Sequence, residues 1–301
     1  MSIPWPVSVG AILYRGYDVP TLCQSLARVG VKYVDLDFIE PPPAFRGRGY
    51  GAHVTESDLA RPQWFQKVLA DYGLEVVTFS GHMFLISASE VELFMRKMEF
   101  AKAIGARYIA TNHGPRGEED QLLRNLETIL ERARDLDIVV CLENSAPETI
   151  IQSGKDARSI FERIPSPYLG FTYDFGNAYH SHRGQIDFIE DLQNVLPFLQ
   201  VLHFKDVQLE GGVLQYCAIG QGIVDFRGIV AFLKSCGRTF PVTLEIPYFF
   251  RSTNWGPFET LEDTKPLPEI EGIVQVSLSF VEKLWEEFSG EGPESHRSSR
   301  C

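Results

Sequence analysis

Four residues able to donate oxygen or nitrogen to a cation close four consecutive apolar segments: Glu143 in IVVCLEN, Asp174 in LGFTYDFGN, His203 in LQVLHFKD and Glu245 in PVTLEIP. They lie 31, 29 and 42 residues apart. Each of the first two intervals is one strand–helix–strand unit of roughly 30 residues, and the third is one such unit with a longer loop. If each segment is a parallel strand of one barrel, all four side chains converge on its C-terminal rim. Three carboxylates and an imidazole meeting there make a metal site. A donor set this rich in oxygen suits Mn²⁺, Mg²⁺ or Co²⁺ better than a structural zinc, which prefers thiolates.

The elements needed to bring them together can be read along the chain. Short apolar runs with few internal charges occupy residues 7–13, 31–38, 74–80, 107–113, 138–143, 169–174, 199–204 and 242–246. Strands buried on both faces read this way. Between them lie amphipathic stretches such as 62–72, 90–104 and 121–136, with Leu, Phe and Val at helical spacing and charges on the other face. Gly30, Gly73 and Gly105 fall where a helical pattern stops and a strand begins. Eight strands alternating with about eight helices predict a single-domain α/β fold, a (β/α)8 TIM barrel, over residues 1–288. A doubly wound sheet would place its ligand at one switch point instead of drawing residues from four successive strands. The polar stretch 289–301 reads as a disordered tail. Long connections at 40–55 and 247–268 follow predicted strands and are expected to be lid or pocket material.

Along strands ending in Glu143, Asp174 and Glu245, the residues of the same parity are Cys141, Thr172 and Thr243. Each charged group therefore sits one layer above small or apolar barrel-filling side chains, where it must be paired or metal-bound. His82 and His113 end the third and fourth predicted strands and are expected on the same rim as catalytic candidates. Asn177, Lys205, His180 and Trp255 are candidate substrate contacts. Lys205 supplies a point charge for a substrate oxygen or an enolate, and Asp206 is placed to orient a neighbouring ligand. GQGIVD at 220–225 lacks the spacing of a dinucleotide fingerprint and reads as a tight turn into a helix over 226–236.

The balance of 28 Lys+Arg against 40 Asp+Glu gives a net charge of −12, which works against binding a phosphate backbone. Five scattered cysteines without a CxxC pair read as reduced thiols. No apolar run is long enough to span a bilayer, and the N-terminus lacks a signal-peptide pattern. These features lead to the expectation of a cytoplasmic protein that binds neither nucleic acid nor membrane.

The ordered set LEN at 142–144, DFGN at 174–177, HFKD at 203–206, GQGIVDF at 220–226 and LEIP at 244–247 resembles the xylose isomerase-like TIM barrels, the sugar phosphate isomerase/epimerase group. The resemblance covers about residues 5–288. It implies that Glu143, Asp174, His203 and Glu245 are the metal ligands, with Mn²⁺ as the first expectation and Mg²⁺, Co²⁺ or Zn²⁺ as alternatives. It also implies proton abstraction next to a carbonyl of a sugar, keto-sugar or cyclic polyol, giving isomerisation, epimerisation or dehydration. Glu143 and Glu245 are its candidate bases, and His82 or His113 takes that part in an elimination. The ketose 3-epimerases of the group carry a Glu and an Arg where this chain has Thr149 and Leu209, and the ENS and DFGN forms look closer to the inosose dehydratases. Asn177 stands where the endonuclease IV branch has another histidine, which disfavours a nuclease. A homo-oligomer, dimer or tetramer, is expected. The alternative is a non-catalytic metal-binding barrel, as one subunit of a hetero-oligomer.

Overall fold

A computed structural model describes residues 5–39, 53–261 and 264–289. Eight parallel strands close a barrel: β1 (Val7–Gly10), β2 (Tyr33–Asp37), β3 (Thr78–Ser80), β4 (Tyr108–Thr111), β5 (Val139–Glu143), β6 (Leu169–Asp174), β7 (Leu199–Phe204) and β10 (Val242–Leu244). Neighbours in the barrel are neighbours in sequence except that β10 follows β7 and closes on β1. The expected (β/α)8 TIM barrel is the observed fold.

The first apolar run is shorter as a strand than its length suggests. Ala11–Tyr14 leave the barrel as a buried 3₁₀ turn, because an unbroken apolar run does not by itself distinguish strand from buried turn. Around the barrel stand α1 (Val19–Arg28), α2 (Pro62–Asp71), α3 (Ala88–Ala103), α4 (Glu119–Leu136), α5 (Gly154–Phe161), α6 (Phe175–Ser181), α7 (Phe188–Val195), α8 (Phe226–Ser235) and α9 (Leu267–Ser289). Their starts are chemically defined. Asp18 accepts from the Thr21 N–H ahead of Pro20, and Ser87 with Glu90 forms a capping box. Gly30, Gly73 and Gly105 have φ of 80°, 66° and 105°, the left-handed termination their placement predicts. α9 runs through residue 289, which the sequence placed at the start of a tail over 289–301; the rest of that tail lies outside the described residues, as does most of the connection at 40–55.

A second sheet was not foreseen. β8 (Asp206–Glu210), β9 (Val213–Cys217), β11 (Phe250–Thr253) and β12 (Glu259–Thr260) form an antiparallel sheet in the order β12-β11-β9-β8. β8 and β9 are joined by Gly211 and Gly212 at φ 56° and 80°, a two-residue hairpin turn that a side chain would strain. This sheet occupies the two long connections that follow β7 and β10, so it is added on the C-terminal rim.

A polar cluster lies in the barrel interior beneath the rim. Asp35 Oδ2 accepts from Thr78 Oγ1 at 2.8 Å and Thr243 Oγ1 at 2.9 Å, tying β2, β3 and β10 together. Burial holds the Asp35 carboxyl above its ordinary range, against the pull of His203 and of these hydroxyls. Cys23, Cys141 and Cys217 are free thiols. No helix among the described residues is long and apolar enough to cross a membrane.

Candidate metal centre

β5 and β6 end on Glu143 and Asp174, His203 is the penultimate residue of β7, and Glu245 follows β10 by one residue. Register fixes their levels: Asp174 and Thr243 both pair with His203, and the Glu245 N–H donates to the Phe204 carbonyl at 3.0 Å. One ligand atom from each of the four residues lies within 4.8 Å of all the others, and all four residues are buried.

Each carboxylate has one oxygen held by a neighbour outside the four and the other among the four converging ligand atoms. Glu143 Oε1 accepts from Asn177 Nδ2 at 3.0 Å, and Asp174 Oδ1 accepts from the Asn177 backbone N–H at 2.7 Å. Glu245 Oε1 pairs with Lys205 Nζ at 2.8 Å. The remaining oxygens, Glu143 Oε2, Asp174 Oδ2 and Glu245 Oε2, are buried and make no aligned hydrogen bond, and neither does His203 Nδ1. Nδ1 nevertheless lies 2.7 Å from Glu245 Oε2 and 3.2 Å from Glu143 Oε2. Asp174 Oδ2 likewise lies 2.7 Å from Lys205 Nζ. Three carboxylate oxygens crowded with one imidazole nitrogen within 4.8 Å of one another, all buried, form a donor set that could hold a divalent ion. Charge agrees. Three carboxylates and the Lys205 ammonium leave a deficit of two, which a divalent cation held with a neutral imidazole would cancel.

The protein's own electrostatics show the same deficit. Burial pushes Asp174 up to about 7; Lys205 opposes this, while Glu245 and Glu143 add to it. Burial also disfavours charge on Glu245, but Lys205 and His203 outweigh it and hold that carboxyl well below the usual range. His203 and Lys205 are desolvated, yet the carboxylates around them hold both well above their ordinary values.

The other predicted site residues separate into groups. His82 lines the cleft over the centre, with Nε2 at 3.5 Å from Glu143 Oε2 and its ring edge-on to His203 at 6.3 Å. Its Nδ1 is buried without a hydrogen-bond partner. His113 is not in the cleft. The Gly114 N–H donates to its Nδ1 at 3.0 Å, so the proton sits on Nε2, 3.2 Å from the Glu143 carbonyl. Burial pushes this ring down to about 4. Asn177 lines the cleft, and its amide is committed to Glu143 Oε1 and the Asn144 carbonyl. Lys205 also lines the cleft, with Nζ 2.7 Å from Asp174 Oδ2. Its stem crosses Gly176, where an added Cβ would lie 2.6 Å from Lys205 Cγ, so the DFGN glycine makes room for the HFKD lysine.

His180 and Trp255 stand one layer back. His180 Nε2 meets Ser252 Oγ at 3.1 Å, and the ring packs on Phe258 at 4.3 Å. Trp255, at φ 61°, packs on Tyr179 at 5.6 Å. The aromatic faces in the cleft belong to Tyr216, Phe250 and Phe258, all supplied by the second sheet and its connections. Asp206 does not orient a ligand. Its carboxylate gathers the N–H groups of Val207, Gly220, Gly222 and Val224 at 2.9–3.2 Å and fixes the GQGIVD turn. Thr149 and Leu209 stay out of the centre: Thr149 Oγ1 donates to the Ala146 carbonyl at 2.7 Å, and Leu209 is exposed on β8.

Sequence reasoning missed three contributors. Asn144 donates to the Asp174 carbonyl and accepts from the Asp174 N–H, both at 2.8 Å, clamping the ends of β5 and β6. Asn112 lines the cleft. His53 Nδ1 lies 3.0 Å from Asp37 Oδ1 and Nε2 lies 3.2 Å from the Tyr14 carbonyl, which pins the connection after β2 to the rim. A second cavity, between Trp5, Phe240 and Trp285, lies outside the barrel wall and contains none of the four ligands.

Comparison with known proteins agrees with this fold. The chain superposes on a xylose isomerase domain protein from Planctomyces limnophilus with a TM-score of 0.67, at 18% identity, over 95% of this chain and 99% of that one. An L-ribulose 3-epimerase gives 0.68 at 12% identity over 99% and 100%. A xylose isomerase-like TIM barrel protein from Mycobacterium smegmatis, in complex with magnesium, gives 0.64 at 16% identity over 91% and 98%. No curated protein matches the chain. The family model described as xylose isomerase-like TIM barrel matches residues 23–260, from α1 to β12 and across all four converging residues, and the chain belongs to that family.

Proposed function

We infer that the protein is a divalent-metal-dependent enzyme that abstracts a proton next to a carbonyl of a sugar, keto-sugar or cyclic polyol, and so isomerises, epimerises or dehydrates it. The observation that carries this reading is the convergence of three buried carboxylates and one imidazole nitrogen within 4.8 Å of one another, beside a cleft. Glu143, Asp174, His203 and Glu245 would hold the ion, with Mn²⁺ the first choice for a centre of three carboxylates and one imidazole. When bound, the ion supplies Lewis acidity that lowers the pKa of a carbon acid beside a carbonyl.

The chain's own groups divide the remaining work. Tyr216, Phe250 and Phe258 offer apolar faces to a ring or carbon chain and keep water from it. Lys205 presents a fixed ammonium to a developing oxyanion. Glu143 and Glu245 enter the cleft from β5 and from the end of β10, flanking the substrate as proton-transfer groups. His82, which lines the cleft with Nε2 3.5 Å from Glu143 Oε2, is the candidate to donate or accept a proton at a substrate hydroxyl. His113 holds the end of β5 instead. The L-ribulose 3-epimerase with the same fold supports a sugar-directed reaction. Thr149 and Leu209, which bring no charge to the centre, favour the elimination and isomerisation branches over ketose 3-epimerisation.

Metal analysis followed by a D₂O screen of ketoses, inososes and 3-keto-sugars by NMR tests the proposal. Metal-dependent exchange of a substrate C–H supports an isomerase or epimerase, and loss of water supports a dehydratase. A bound ion with neither outcome for any substrate would point to a non-catalytic barrel subunit.

A further inference from the structure

Lys205 has an unusual position for a substrate-binding lysine. Its Nζ lies 2.7 Å from Asp174 Oδ2 and 2.8 Å from Glu245 Oε1, and the side chain is 6% exposed. Asp174 Oδ2 is one of the converging ligand oxygens, so the ammonium and an ion there share it. Glu245 divides its two oxygens between them: Oε1 faces Lys205 and Oε2 faces His203. Asn177 Oδ1 lies 3.4 Å from Nζ on a third side, and the Tyr216 ring covers it at 5.5 Å. The chain also makes room for this path, since any side chain at Gly176 would meet the Lys205 stem.

We propose that Lys205 is a resident counter-cation that sets how tightly the centre holds its divalent ion. This rests on the metal-centre reading above. Two consequences of removing the ammonium oppose each other. Asp174 and Glu245 would lose an orienting partner, which weakens binding. An ion would no longer share Asp174 Oδ2 with a fixed positive charge a few ångströms away, which strengthens it. In a buried site, charge–charge interaction at such range exceeds the orienting effect of one hydrogen bond. Asp174 also remains held by the Asn177 N–H. The net effect of removing the charge is therefore tighter binding. Lys205 keeps the ion weakly held and leaves the centre closer to neutral once the ion is in place, so that a negatively polarised substrate oxygen is not repelled. Its role toward the ion is positioning and electrostatic, separate from any contact with substrate.

The test is Mn²⁺ titration of the chelator-stripped protein by calorimetry, comparing wild type, Lys205→Met and Lys205→Arg at one pH. Lys205→Met should bind Mn²⁺ at least tenfold tighter than wild type and show a larger Mn²⁺-induced rise in melting temperature. Lys205→Arg, which keeps the charge, should stay within about threefold of wild type. A merely structural lysine would give weaker binding on removal, so equal or weaker binding by Lys205→Met overturns the proposal. If Lys205→Met does not fold, Lys205→Gln decides by the same criterion, because it removes the charge while keeping a polar hydrogen-bond donor. Wild-type protein that binds no Mn²⁺ would overturn the metal-centre reading itself.

Discussion

Asn177 Nδ2 donates to Glu143 Oε1 at 3.0 Å, and this bond decides which oxygen of Glu143 remains for an ion. The same residue, through its backbone N–H, holds Asp174 Oδ1 at 2.7 Å. One asparagine at the start of α6 thus presets two of the three carboxylates, from strands β5 and β6. Residues that orient a metal ligand are typically worth about ten- to a hundredfold in metal affinity.

Asn177→Ala keeps the Asp174 contact, which is backbone, and frees Glu143. Metal affinity should fall about tenfold, with no change in fold by circular dichroism. Asn177→Asp should be worse, because it sets a carboxylate against Glu143. Isothermal titration with Mn²⁺ measures both, and an Asn177→Ala protein with unchanged affinity would show that Glu143 is oriented by other means.

His82 and His113 should behave differently although both follow barrel strands. His82→Gln should retain metal and lose about a hundredfold or more in kcat, as expected on removing a general acid or base. His113→Gln should cost stability of about 1–3 kcal/mol, through the broken clamp on the Glu143 carbonyl, and leave the pH–rate profile in shape. Urea melts and pH profiles of the two variants separate these outcomes, and exchanged phenotypes would reverse the assignment.

The buried His113 also gives the fold a pH dependence. Its folded value is about 4, below the usual value of roughly 6.5 for an unfolded chain. Between those values the unfolded state binds the proton and the native state resists it. The stability that His113 contributes is thus complete above about pH 6.5, declines as pH falls, and is gone near pH 4. The full span is roughly 3 kcal/mol at 1.36 kcal/mol per unit. The urea midpoint of the wild type should drop between pH 7 and pH 5, and His113→Gln should lose that part of the slope.

The second sheet supplies the apolar wall. Phe258 faces the cleft and is backed by His180 at 4.3 Å. Phe258→Ala should raise KM about tenfold with little effect on metal content, and His180→Ala should produce a weaker version of the same change. Steady-state kinetics on the substrate found by the exchange screen measures this, and a change confined to kcat would place the wall outside substrate binding.

The barrel and its four converging residues were legible because a parallel barrel makes position along a strand equivalent to height in the site. Residues 143, 174, 203 and 245 close consecutive apolar segments, and this alone put them at one level. Two residues past a strand end that rule stops working. His82 and His113 follow similar strands, yet one faces the cleft and the other turns back to bond its own Gly114. Trp255 and Phe258 share a loop, but the left-handed backbone at Asn254 and Trp255 sends the tryptophan outward and leaves the phenylalanine in the cleft. The second sheet did leave a signal in DVQLE-GG-VLQYC, where Gly-Gly between two alternating runs marks a two-residue hairpin. The path of Lys205 over Gly176 had no local signature, since it depends on β7 and α6 meeting in space.

The central claim is that Glu143, Asp174, His203 and Glu245 together hold one divalent ion. Calorimetric titration of chelator-stripped protein with Mn²⁺, repeated for Asp174→Asn and His203→Gln, tests it most directly. The expected result is one ion per chain for the wild type and no measurable binding for either variant, with both variants still folded. Wild-type protein that takes up no divalent ion, or variants that bind as tightly as the wild type, would contradict it.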